Sequence, residues 1–70
     1  MMHKAQALQT AVFAVAEATD GEPVTIRNSA VVVGFTDGEY WVTDNGEEVD
    51  NLSREQAIKI IIENLTSDEK

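Results

Sequence analysis

Cysteine is absent from this chain, proline and histidine occur once each, and only five residues are Lys or Arg. Without thiols there is no disulfide framework and no thiolate metal site to staple the fold. No apolar run approaches the roughly 20 residues that cross a bilayer. Thirteen Asp and Glu against those five bases give a formal charge of −8 and a pI near 4.2. A surface of that sign excludes phosphate-driven nucleic-acid binding and attachment to anionic lipid as default roles. What is present is the mix of an ordinary aqueous globular domain, 43% apolar and 26% charged residues over 70 positions. One domain is expected over residues 1–70, with residues 66–70 as a flexible tail. A chain this short buries only about 60% of its unfolded surface, so its core is small.

Two periodicities divide the chain. Over residues 4–18, Leu8, Val12 and Val15 recur at helical spacing with Ala5 and Ala16 alongside. The Ala-rich start loosely imitates a secretory signal. Gln6, Gln9 and Thr10 interrupt the apolar stretch a signal requires, and the segment reads as a structural helix. Asp20-Gly21, with Pro23 just beyond, reads as its stop, Gly21 serving as a left-handed cap. From Val24 to Val49 the period is two. Asp37-Gly38 and Asn45-Gly46 are strong signals for type I′ hairpins, and Arg27 to Ala30 is a weaker turn.

Register tests these three turns together. Two-residue loops at 37–38, 28–29 and 45–46 pair Phe35 with Tyr40, Val33 with Val42, Ile26 with Val31, Val24 with Val33, and Val42 with Val49. All three place Val24, Ile26, Val31, Val33, Phe35, Tyr40, Val42 and Val49 on one face. A slip of one residue in any hairpin breaks that set. After the hairpins, Ser53 with Gln56 forms a capping box, and Leu52 with Ala57 a hydrophobic staple, for a second helix. Ile58, Ile61, Ile62 and Leu65 share one face of it, and Glu55, Lys59 and Glu63 form a charge ladder on the other.

The expected fold is α+β. An antiparallel meander of three long strands plus a short fourth carries both helices on its apolar face, a two-layer sandwich of order αβββ(β)α. Its core is expected to hold Leu8, Val12, Val33, Phe35, Val42, Ile58 and Ile61.

Reactive groups do not converge in this sequence. His3 lies at the very start, Ser29, Ser53 and Ser67 have no histidine near them in sequence, and no phosphate loop or paired-histidine helix is present. Asp44-Asn45-Gly46 matches part of a calcium loop, but Trp41 stands where that pattern needs Asp. The chain is read as non-enzymatic, with neither cofactor nor metal.

Acids are the conspicuous side chains. Between Asp37 and Asp50 there are Asp37, Glu39, Asp44, Glu47, Glu48 and Asp50, and no base. The expected register gathers Asp20, Glu22, Asp37, Glu39 and Asp50 into one rim and leaves Asp44, Glu47 and Glu48 at the other end, near Arg27. Turn chemistry and solubility account for such acids. They also make a field that steers the protein to a basic surface. Two aromatics lie off the core pattern. Phe13 projects among Gln6, Gln9, Thr10 and Glu17, and Trp41 points opposite to Tyr40 and Val42, across from Gly34. Both are candidate interface anchors. Ala7, Ala11, Ala14 and Ala18 form a small-residue stripe, read as close packing against the second helix or the sheet in preference to a dimer contact.

In size, acidity and lack of catalytic groups the chain resembles the small inhibitors that phages and mobile elements direct at host defence systems, anti-CRISPR proteins and DNA mimics among them. The resemblance is one of composition. It implies a cytoplasmic interaction module whose partner is a protein with a basic surface, with no direct contact to nucleic acid or membrane. The rim Asp20, Glu22, Asp37, Glu39 and Asp50 would be its electrostatic footprint, and Trp41 and Phe13 its apolar anchors. The competing expectation is a small self-associating regulatory or structural protein, a homodimer that buries the Trp41 face with Val32 against its own copy.

Overall fold

Two tight turns set the architecture. In the computed structural model, which describes residues 3–27 and 29–66, Asp37 and Gly38 have φ of 54° and 81°, and Asn45 and Gly46 have φ of 57° and 89°. Both central residues of each turn are left-handed, the type I′ geometry whose twist matches the flanking strands. The turns connect β2 (Val31–Thr36), β3 (Glu39–Asp44) and β4 (Glu47–Leu52), while β1 is Val24–Thr25. The sheet is a four-stranded antiparallel meander in the order β1-β2-β3-β4. Helices α1 (Lys4–Glu17) and α2 (Arg54–Leu65) enclose it in sequence, giving an α+β fold. Val24 pairs with Val33, Val33 with Val42, Phe35 with Tyr40, and Val42 with Val49, the register the hairpin signals require.

The third turn works through a side chain. Ser29 Oγ donates to the Ile26 carbonyl (2.9 Å) and accepts from the Val31 amide (3.1 Å), while the Ile26 amide donates to the Val31 carbonyl (2.9 Å). Asn28, within this turn, lies outside the described residues. Replacing Gly38 or Gly46 with valine forces a β-branched residue to positive φ, which costs about 1–3 kcal/mol. Ser29→Ala, losing a hydroxyl bridge, costs about 1 kcal/mol. Urea denaturation midpoints should therefore fall further for either glycine variant than for Ser29→Ala. Equal, small changes would show that the turns do not hold the register.

Strand lengths are distributed differently from the sequence reading: the short strand is β1, of two residues, and β4 runs for six. Pro23 sits just before β1 and has no amide to donate, so the ladder stops there. At the other edge the register shifts between Tyr40, which pairs with Leu52, and Val42, which pairs with Val49. Asp50 and Asn51 together oppose Trp41, a bulge, and Asn51 takes φ 58°. The extra residue turns Leu52 inward, where it is buried.

The helix stop also differs. Ala18, not Gly21, ends α1; its amide donates to Ala14 (3.0 Å) with Ala18 itself extended. Gly21, at φ 87°, belongs to the separate turn that Thr19 and Glu22 close with reciprocal backbone bonds of 3.3 and 2.9 Å. At the far end, Ser53 caps α2 with the full capping box, its hydroxyl accepting from the Gln56 amide and the Gln56 side chain accepting from Ser53. The tail expected from residue 66 lies, apart from Thr66, outside the described residues. Thr66 itself closes α2, its amide and hydroxyl both donating to the Ile62 carbonyl.

Both helices lie on the Val33–Val42 face and pack closely on one another, α1 over β1 and β2, α2 chiefly over β3. The core is Ala7, Ala11, Ala14, Val15, Ala18, Ile26, Val31, Val33, Val42, Leu52, Ala57, Ile61 and Leu65. Leu8 is not in it, being 47% exposed, and Val12, Phe35 and Ile58 are only half-buried. The alanine stripe of α1 is the reason. Four small side chains let the helix axes approach, and that ridge faces inward; Leu8, one residue and about 100° round from Ala7, swings to the flank. Val49 shares the face of Val42 yet is 45% exposed, because α2 does not reach across the edge strand.

Candidate functional site

Alternation along β3 decides where Trp41 goes. Val42 is buried beneath the helices, so Trp41 projects from the uncovered face of the sheet. Its cross-strand partner is Gly34, and a Cβ at that position would collide with the indole ring. The ring therefore lies over the Gly34 backbone, where only glycine fits. The indole Nε1 donates to Thr36 Oγ1 at 3.3 Å. Two neighbours thus fix the orientation of a half-exposed tryptophan, and its other edge is left facing β4.

Between that edge and β4 lies an open cleft of about 340 Å³. Trp41 lines it together with Asp37, Glu39, Glu48 and Asp50, and no basic residue does. The placement follows from period two. Glu39 and Trp41 share a face of β3, and Glu48 and Asp50, two residues apart, share the same face of β4. Asp37 belongs to the I′ turn at the cleft's end.

Of the residues singled out from sequence, Asp37, Glu39, Asp50 and Trp41 come together here. Asp20 and Glu22 do not line the cleft. Asp20 bridges to Phe35, and Glu22 closes the turn with Thr19. Glu48 joins the cleft, although the sequence reading put it at the opposite end beside Arg27. Sorting the acids by strand end obscured this; sorting them by face, with Glu48 and Asp50 at i and i+2, would have found it. Phe13 is 66% exposed on α1, in the helical layer, so the two aromatic anchors stand on opposite layers of the molecule. Asp44 and Glu47 lie on the helix side of β3 and β4, near Val49 and Ile60.

Chemically the cleft is an aromatic wall with anionic surroundings. The flanking carboxylates can make charge-assisted hydrogen bonds to a guanidinium or ammonium, whose methylene stem can lie against the indole. Among the described residues there is no group of three or more His, Asp or Glu side chains able to hold a metal ion, and no helix long and apolar enough to cross a membrane. No family model, no curated protein and no solved structure matches the chain.

Proposed function

We propose that this protein is an acidic, non-catalytic interaction module that occupies a basic surface on a partner protein. One observation carries the reading: Trp41, held over Gly34, faces a cleft lined by Asp37, Glu39, Glu48 and Asp50 and by no base. A half-buried tryptophan in an anionic cleft suits an Arg or Lys side chain. The chain's formal charge of −8 supplies long-range attraction to a basic surface. Nucleic-acid-binding proteins present such surfaces, and occupying one would block the nucleic acid. The resemblance in composition to phage-type inhibitors of host defence points to the same target class, and with it to a cytoplasmic setting.

The test begins with affinity capture from the source cell and continues with kinetics on the captured partner. Charges at the edge of an interface act mostly on encounter. Asp37→Lys with Glu39→Lys should slow association about tenfold and leave the melting temperature nearly unchanged. Trp41→Ala should instead speed dissociation by about 30-fold, the kinetic equivalent of losing an anchor worth about 2 kcal/mol. Raising salt should weaken binding, since charges farther apart than about 8 Å are screened at physiological ionic strength. Competing DNA or RNA should displace the protein. Binding indifferent to salt and to these substitutions would leave the acids as a solubility device.

A further inference from the structure

β4 is the one full-length free edge of the sheet among the described strands, because β1 is too short to offer another and β2 is partly covered by the Asp20–Phe35 bridge. Five of its six residues, Glu47 to Asn51, are exposed. In a two-residue hairpin the residues flanking the turn are a hydrogen-bonded pair, here Asp44 and Glu47, and bonded and non-bonded pairs then alternate. Glu47 and Val49 thus turn their backbone groups toward β3, while Glu48 and Asp50 turn theirs outward. The two faces beside this edge are unlike. On one are the carboxylates of Glu48 and Asp50, bordering the Trp41 cleft. On the other a mixed trough runs between β4 and α2, where Val42, Val49 and Ile60 stand among Asp44, Glu47 and Glu63, with Leu52 farther along.

We propose that the edge of β4 receives an extended segment of a partner whose residues alternate basic and apolar. This rests on the reading above of a basic partner and says how part of that partner is held. Residues opposite Glu48 and Asp50 would project onto the acidic face and want Lys or Arg, because directly opposed side chains share a face. The residue between them, opposite Val49, would fall on the trough and want an apolar side chain, whereas one opposite Glu47 would again meet an acid. Charge decides against a second copy of this chain. Antiparallel pairing of β4 with itself sets Glu48 and Asp50 against acids of the partner strand, and like charges opposed across strands destabilise. The bulge at Asp50 and Asn51 limits the docked stretch to Glu47–Asp50.

The probe is a short acetylated and amidated peptide alternating Lys and Val, titrated at low salt into the intact isotope-labelled protein and followed by amide resonances. The comparison peptide has the same composition with Lys and Val in separate blocks. The alternating peptide should bind at least about tenfold more tightly, a difference of about 1.4 kcal/mol. The amides of Glu48 and Asp50 should shift and become protected from exchange. N-methylation of the peptide residues that face those amides should abolish binding. Val49→Glu, at an exposed position that leaves the fold intact, should weaken the alternating peptide and not the blocked one. Equal affinity of the two peptides, with shifts around Trp41 and Asp37 and no exchange protection of the Glu48 and Asp50 amides, overturns strand docking and leaves the basic-surface reading standing. Absence of binding by both peptides overturns it as well. So does self-association in sedimentation with the β4 amides already protected, which would put a second copy on the edge. The basic-surface reading fails separately, on a captured partner whose binding ignores salt and charge reversal.

Discussion

Ile61→Ala should lower the unfolding free energy by about 2–5 kcal/mol, the usual cost of emptying a buried large aliphatic position. Ile61 is fully buried where α2 meets the sheet and α1. A domain of this length holds a stability toward the low end of the roughly 5–15 kcal/mol range, so the variant is left marginal or unfolded at body temperature. For a domain of about 60–100 residues, 1 kcal/mol moves the melting temperature by about 4–8 °C. The expected drop therefore exceeds about 8 °C. Leu8→Ala is the control. The two residues look alike in sequence, both apolar at helical spacing, but Leu8 is 47% exposed and its truncation should cost less than about 1 kcal/mol. Melting of Ile61→Ala within a degree or two of the parent would mean that α2 presents a different face to the sheet.

The sheet was legible because its signals are local and redundant. Asp37-Gly38 and Asn45-Gly46 demand positive φ at both central residues, and the observed angles supply it. Each turn fixes a register, and three registers sharing one apolar face leave little freedom for error. The capping box at Ser53 and Gln56 is of the same kind, a short-range pattern with its own hydrogen bonds. Strand ends were less legible. The bulge at Asp50 and Asn51 has no sequence signature beyond an Asn that tolerates the left-handed region, yet it lets β4 run on and turns Leu52 inward.

The site was half legible for a related reason. Trp41 over Gly34 follows from register alone, and the collision a Cβ would meet there is its physical content. The carboxylates depend on which face each strand residue takes and on how far one strand extends past the next. Register by strand end alone therefore assigns Glu48 to the far end and Asp20 and Glu22 to a rim whose cleft they do not line. Phe13 stands out in sequence, as it does on the surface, but nothing in the chain's periodicity says that it lies in the other layer from Trp41.

Helix α1 carries the clearest gap between pattern and packing, and Ala11→Leu exposes it. By hydropathy the core side of α1 would be Leu8, Val12 and Val15; by geometry it is Ala7, Ala11, Ala14 and Ala18 with Val15. Ala11 is fully buried, and α1 makes its most extensive contacts with α2. α1 also has no side-chain cap at His3, no acid in its first turn and no base in its last. Packing has to hold it, because an uncapped helix of 14 residues is marginal alone. Leucine at position 11 adds an isopropyl group at a fully buried position, so the packed elements must part or the side chain must leave its rotamer. Overpacking of that kind costs about 1–3 kcal/mol, and more where no neighbouring space can absorb it. Leucine is nearly as good a helix former as alanine, so propensity contributes only a few tenths of that. Ala16→Leu, at an exposed position of the same helix, should be close to neutral and isolates the packing effect. Calorimetry on the two variants is decisive. A large loss for Ala11→Leu alone shows that the alanine ridge is the interior seam between helices, whereas unchanged melting of both would return the stripe to the surface as a contact between molecules.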